Sequence, residues 1–161
     1  MKIALKGGKP ASEDQIQVLE RALGCHLPAE FRTFVKTHDG ATPESNIFDV
    51  GGHNHSGVRE FIPIDEIQER CDRIEGFPKD GYPIAGDDCG NFVFLYKNRR
   101  PVYFWEHELP DDITELAPDF RAFLDKLEPF DSSVELKPGQ VKSIWIHPDF
   151  EEFIKQNQRK R

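Results

Sequence analysis

No stretch of this 161-residue chain approaches the roughly 20 consecutive apolar residues that a membrane-spanning helix needs. Its opening, Met1-Lys2-Ile3-Ala4-Leu5-Lys6-Gly7-Gly8-Lys9-Pro10, is basic, yet the apolar run within it is too short for a signal peptide. A cytoplasmic location is the default expectation. Cysteine is scarce. Cys25, Cys71 and Cys89 are odd in number, widely spaced and without a Cys-x-x-Cys pair, which suits free thiols in a reducing compartment better than a disulfide framework. Internal repeats and low-complexity tracts are missing too. Basic residues are outnumbered, 21 against 29 acidic, for a net charge of −8. Four of them, Lys155, Arg159, Lys160 and Arg161, close the chain, so residues 1–154 hold 17 basic and 29 acidic side chains, a net −12. That balance argues against nucleic acid, whose phosphates reward Lys and Arg. It favours a basic partner, with an on-rate that salt weakens. Acidity also serves solubility alone, so charge by itself speaks only loosely of partners.

What is present is enough for one core. A domain of roughly 150 residues buries about 68–70% of its extended-chain surface and needs no covalent staples. With 37% hydrophobic residues, among them 13 Phe, the chain can supply such a core, and 31% charged residues supply its surface. One domain is expected.

The elements follow from local pattern. Ser12-Glu13-Asp14-Gln15 reads as a capping box, followed by a stripe of Ile16, Leu19 and Leu23, joined by Val18 and Ala22, with Gly24 ending the helix. A second helix is predicted from Pro28, with Phe31, Phe34 and Val35 inward and Asp39-Gly40 at its end. Ile47–Val50 reads as a strand, and Gly51-Gly52-His53-Asn54-His55-Ser56-Gly57 as a flexible loop. Arg59–Ile64 reads as an edge strand because of Pro63, and Asp65 as the cap of a short helix carrying Ile67, Cys71 and Ile74. Tyr82-Pro83-Ile84-Ala85 runs into the polar turn Gly86-Asp87-Asp88-Cys89-Gly90-Asn91. The unbroken apolar run Phe92–Tyr96 suits a central strand covered on both faces. Asn98-Arg99-Arg100 turns into Pro101–Trp105, where Val102 and Phe104 point one way and Tyr103 and Trp105 the other. Leu116, Phe120, Phe123, Leu124 and Leu127 form a helical stripe begun at Pro118. A linker at Asp131-Ser132-Ser133, a strand Val141–Ile146 and a helix from Pro148 complete the chain. Helices at both ends with strands grouped between them predict an α+β fold: a central, mainly antiparallel sheet with flanking helices. The expected division is a domain over 1–130 and a strand-helix extension over 131–161 packed on it, ending in a basic tail open to disorder.

Three constellations carry potential chemistry. His53-Asn54-His55 superficially looks like a nuclease motif, but that needs separated histidines on a hairpin and a helix, which a Gly-rich loop does not offer. As a metal pair, His53 and His55 need two further ligands from elsewhere, such as His107 or Glu108, and such spacing recurs by chance. Asp87-Asp88 and Glu106-His107-Glu108 could meet at neighbouring strand ends as an acid/base group. Neither a nucleophile in context nor a phosphate loop nor an oxyanion donor accompanies them. Cys89 beside Gly90 is a conceivable nucleophile, yet a partner histidine is found in space and not in sequence. Asp, Gly and Asn are also what a sharp strand-to-strand turn requires. The acids make better sense as a surface: Glu106, Glu108, Asp111, Asp112 and Glu115 crowd beside Tyr103 and Trp105, a composition common at interfaces. The bland alternative puts Trp105 in the core and the acids on a solvated loop.

The order of these pieces resembles the SMI1/KNR4 family, also called the SUKH superfamily. Leu27-Pro28-Ala29-Glu30-Phe31-Arg32-Thr33-Phe34 with His38-Asp39-Gly40 is similar to its opening, and Phe61-Ile62-Pro63-Ile64-Asp65-Glu66-Ile67 to its strand leading into a short helix. Ile84–Asn91 looks like its Gly-Asn turn, Val102–Glu108 like its aromatic strand, and Leu116–Leu127 like its closing helix. Asp39 departs from the Asn expected before the turn glycine. The loop at 51–57 and everything after Asp131 fall outside the pattern. The resemblance implies an α+β fold, no enzyme activity and a protein partner. Many bacterial members are immunity proteins that neutralise a toxin, often a nuclease; some eukaryotic ones are regulatory scaffolds. The expectation is an immunity protein that binds a basic toxin domain through Asp87, Asp88, Trp105, Glu106, Glu108, Asp111 and Asp112. No catalytic residue, metal or cofactor is expected. A regulatory scaffold is the alternative, and a metal-dependent enzyme a third. Oligomeric state is left open.

Overall fold

A computed structural model describes residues 3–52, 54–130 and 150, of which all but the last belong to the compact unit Met1–Phe130. The strand expected at Val141–Ile146, the helix expected from Pro148 (Phe150 apart), the basic tail and His53 lie outside the described residues.

The first element, β1 (Leu5–Lys9), is one the pattern does not announce. Four of its five residues are exposed and two are glycines, so no alternation marks it. Pairing creates it: it runs antiparallel to residues 39–43, and Gly8, at φ 77°, lies so close to that neighbour that a Cβ would sit 2.9 Å from Ala41 Cβ and Asp39 O. Helix α1 (Glu13–Leu23) begins as expected. Ser12 Oγ accepts from Gln15 N at 3.2 Å, Gln15 Oε1 accepts from Ser12 N at 2.9 Å, and Gly24 closes the helix at φ 71°. Ile16, Leu19 and Leu23 are buried, but Val18 and Ala22 are exposed. At about 100° per residue both lie off the line of the inward stripe. Helix α2 (Ala29–His38) buries Phe31, Phe34 and Val35, with Pro28 one position earlier than expected, at the cap.

Asp39 ends α2 and opens β2 (Asp39–Pro43), the partner of β1. Next, β3 (Ser45–Val50) and β4 (Asn54–Gly57) form a hairpin, with Val50 opposite Asn54 and Ile47 opposite Gly57. This corrects the loop expected at 51–57. Gly51 and Gly52 (φ 66° and 79°) make the tight reversal, and Gly52 N donates to Asp49 Oδ2 at 2.8 Å. The edge strand expected to reach Ile64 is shorter, β5 (Glu60–Phe61), because α3 (Ile64–Arg73) starts at once after Pro63. Its cap is not Asp65, which lies inside the first turn. Asp39, 25 residues upstream, accepts the Ile64 N–H at 2.9 Å.

The meander is as the apolar runs predict: β6 (Gly81–Gly86), β7 (Phe92–Tyr96) and β8 (Val102–Trp105). It gains a fourth strand, β9 (Ile113–Ala117), so Leu116 is a strand residue and not the start of a helix. Helix α4 (Phe120–Asp125) follows, capped by Asp119, and β10 (Glu128–Pro129) pairs with β3. Every pairing among the described strands is antiparallel. The sheets run β5-β6-β7-β8-β9, β10-β3-β4 and β1-β2. The fold is α+β.

Strand alternation then divides the side chains of the large sheet. Val93, Leu95, Val102 and Phe104 join the main core with Ile16, Phe31, Ile67, Ile84 and Phe123. Phe34 packs edge-on against Phe61 and Phe120 at 4.7 and 5.1 Å within it. The opposite face carries Phe92, Phe94, Tyr96, Tyr103 and Trp105, whose rings contact one another and Phe77 from the segment before β6. No helix among the described residues is long and apolar enough to cross a membrane.

Candidate functional site

In an antiparallel meander the first and third connections emerge at the same end. The register bears this out: Gly86 lies opposite Phe92, and Phe92 opposite Trp105. The turn 87–91 and the loop 106–112 are therefore neighbours, and the two acidic segments meet as the sequence suggests.

Asp87 builds the turn. Its Oδ1 accepts from the backbone N–H groups of Cys89 and Asn91, both at 2.8 Å. Its Oδ2 accepts from Asn91 Nδ2 at 2.8 Å and from Ser56 Oγ at 3.0 Å, which ties in β4. Four donors occupy this carboxylate and leave it little to offer a partner. Asp87 is a structural member of the turn, not one of its presented charges. Gly90 completes the reversal at φ 89° beside the His107 ring.

Asn91 is the bridge. Only 9% exposed, it spends its amide on Asp87 and its Oδ1 on His107, accepting from the backbone N–H at 3.1 Å and from Nδ1 at 2.9 Å. An oxygen acceptor requires a proton on Nδ1. The chain Ser56–Asp87–Asn91–His107 thus joins hairpin, turn and loop. Two further turns shape the loop: Leu109 N donates to Glu106 O, and Asp112 N to Leu109 O, at 3.1 and 2.9 Å.

Trp105, for which the sequence leaves an interface anchor and a core position both open, is 1% exposed and belongs to the interior. It lies against Phe77 and Phe92 and donates Nε1–H to Pro110 O at 3.2 Å. A large ring beside a strand end is buried more readily than it is presented, so its role is to hold the loop from below. Asp88, Glu108, Asp111 and Asp112 are exposed and Glu106 is half-buried. Leu109 stands among them, 54% exposed. None of the five acids forms an ion pair with another described residue.

The acids of the α1–α2 face are in the opposite condition. Glu20, 9% exposed, accepts from Leu27 N at 3.0 Å, from the Arg32 guanidinium at 2.6 Å and from His26 Nδ1 at 3.2 Å. Burial opposes its ionisation, but these partners outweigh burial and hold its carboxyl below the ordinary range. Arg32 also grips Glu13, which Lys36 meets at 2.9 Å.

Of the other side chains weighed for chemistry, His55 is exposed on β4, and among the described residues no three His, Cys, Asp or Glu side chains gather to hold a metal ion. Cys89 is exposed in the turn. Burial raises the Cys71 thiol to about 11 and makes it a poor nucleophile. Sequence reasoning missed Asn91 as a bridge and Ser56 altogether. A buried amide between two strands must find partners, which is a signal for Asn91. Ser56 gives none, since its contact spans 31 residues.

Comparison with known proteins adds two findings. The sequence model of the SMI1 / KNR4 family (SUKH-1) matches residues 10–126, the span from before α1 to the end of α4. The chain is also 26% identical over 152 residues to the SPbeta prophage-derived uncharacterized protein YokK of Bacillus subtilis (strain 168), covering 77% of this chain and 79% of that protein.

Proposed function

Because the chain belongs to the SMI1 / KNR4 family (SUKH-1), we propose that it is a non-enzymatic immunity protein that neutralises a toxin by binding it directly. The family match over residues 10–126 carries this reading. It is a family of immunity-type proteins and not, in general, of enzymes. The likeness to a prophage-derived protein is in keeping with that role. The charge supports the choice of partner: a net −12 over residues 1–154 favours a basic toxin domain, such as a nuclease, over nucleic acid itself.

The surface we assign to the toxin is the sheet end bearing Asp88, Glu106, Glu108, Asp111 and Asp112 around Leu109. With no cationic partner among the described residues, these carboxylates retain their field for an incoming protein, and an apolar tip among them adds area that contact would dry. Asp87 and Trp105 serve this surface from beneath.

The test starts with the tagged full chain, purified from its own cells with whatever it binds. A single basic protein at near-equal amount, released by salt, is then expressed alone and together with this chain. Growth arrest that co-expression relieves is the expected outcome. Several unrelated signalling proteins in place of one would favour a regulatory scaffold, and an absence of any bound protein would remove the immunity reading.

A further inference from the structure

β6 starts and β7 ends away from the acidic turn, which joins their other ends. Here Gly81 lies opposite Tyr96, and Lys97 N donates to Asp80 O at 2.8 Å. Between this end of the sheet, the last turn of α1 and one side of α3 lies a cleft of about 310 Å³, near the lower limit of what holds an organic ligand. Leu23, Phe77 and Pro78 supply its apolar surface. All three are fixed in place. Leu23 belongs to the main core, Phe77 packs on Phe94 and Trp105 at 5.3 and 5.4 Å, and Pro78 O accepts from Gly81 N at 2.8 Å. A Cβ on Gly81 would come within 2.9 Å of the Phe94 ring, so glycine is what lets this turn close onto the sheet.

Lys79 and Lys97 line the same cleft. Neither forms an ion pair with a described residue, although the chain carries 29 acidic against 21 basic side chains. Lys97 is half-buried. Burial raises the Cys71 thiol and Asp72 adds to the effect, while the Lys97 ammonium opposes both, so that ammonium lies near the thiol on the wall of the cleft. The carboxylate on the lining, Asp72, already accepts Gln68 Nε2 at 3.0 Å from its own helix. Two ammonium groups against one engaged carboxylate leave the cleft positive, with an apolar surface beside the charge.

We propose that this cleft binds a small organic anion: a carboxylate with an apolar body, its charged end held by Lys97 and Lys79 and its body resting on Leu23, Phe77 and Pro78. A carboxylate gives the half-buried ammonium of Lys97 the charge-assisted partner that the described chain does not. The apolar body covers surface that water otherwise wets. Both contributions are needed in so small a site. An inorganic anion meets the lysines alone and leaves the apolar surface unused.

The test titrates the full chain with sodium benzoate at constant ionic strength and follows the backbone amides of Leu23, Cys71, Phe77 and Gly81 by NMR. Saturable shifts at these amides are expected, with a dissociation constant of about 5 mM or tighter. Lys97→Met keeps the apolar stem and removes the charge, so it should weaken binding by about tenfold. Lys79→Met acts at an exposed position where folding is not at stake. It should weaken binding too, and it carries the test should the first variant not fold. Shifts that grow linearly without saturating, or binding undiminished in the folded variants, would overturn the site. Inorganic phosphate binding as tightly as benzoate would overturn the assignment to an organic anion.

Discussion

The α1–α2 face and the acidic end of the sheet draw on the same residue types and reach opposite states. On the first, Glu13 and Glu20 are shared among Arg32, Lys36, His26 and a backbone N–H. At the second, Asp88, Glu106, Glu108, Asp111 and Asp112 have no cation in ion-pair reach among the described residues, while the loops beneath them are tied by Asp87, Asn91 and Trp105. The first region spends its charge on its own fold. The second spends hydrogen bonds on holding its backbone and leaves its charge over. The difference is the ground for proposing the second region as the binding surface: an acid already satisfied within the chain has little to offer another molecule, whereas one with no cation in reach among the described residues keeps its field for one.

The comparison breaks most visibly at Glu20. Glu20→Leu leaves the buried Leu27 N–H without its acceptor and takes one of two carboxylates from Arg32, which keeps Glu13, and a loss of about 2–3 kcal/mol in denaturant unfolding is expected. The Glu20 carboxyl is held below its ordinary 4.5, so its contribution is present above that value and is lost as pH falls below it. Removing Glu20 should therefore flatten the acid limb of the stability curve. Next comes Asn91→Leu, which deprives Asp87 and His107 of a partner inside the protein. A loss of about 1–3 kcal/mol is expected, with faster amide exchange at His107 and Cys89 than at β7. Exchange unchanged at His107 would show that the loop does not depend on the bridge. The smallest effect on stability belongs to Glu108→Lys combined with Asp111→Lys and Asp112→Lys. Unfolding should shift by no more than about 0.5 kcal/mol, while association with a basic partner slows and loses its salt dependence. Unaltered association would remove this end of the sheet as the contact surface, and a large loss of stability would show that these acids are not spare.

Much of the fold is legible where a few neighbouring residues carry the whole cause. The Ser12–Gln15 box, the glycine at 24, the inward faces of α1 and α2 and the strands at 82–85, 92–96 and 102–105 all depend on contacts within a turn or on a period of two or 3.6. Legibility fails where the cause is remote. β1 is a strand only because residues 39–43 run beside it. Gly51-Gly52 reads as looseness until β4 pairs with β3 and turns the two glycines into a reversal. Leu116 fits a helical stripe and a strand equally well until Tyr103 pairs with Glu115 and places it on β9. Asp39 reads as a departure from an expected Asn at a turn. Only the approach of α3 shows that it is a cap.

By itself the sequence determined the fold class, the apolar faces of the helices, the three-strand heart of the meander and the surplus of acid beside Trp105. Each of these follows from residue type and short-range periodicity. Tertiary structure alone decided which acids are available. The state of a carboxylate depends on the donors that reach it, and those come from afar: Leu27 and Arg32 to Glu20 across 7 and 12 residues, Ile64 to Asp39 across 25, Ser56 to Asp87 across 31. Burial, hydrogen bonding and neighbouring charge set a carboxylate's affinity for a proton or a partner, and none of the three exists until the chain has folded.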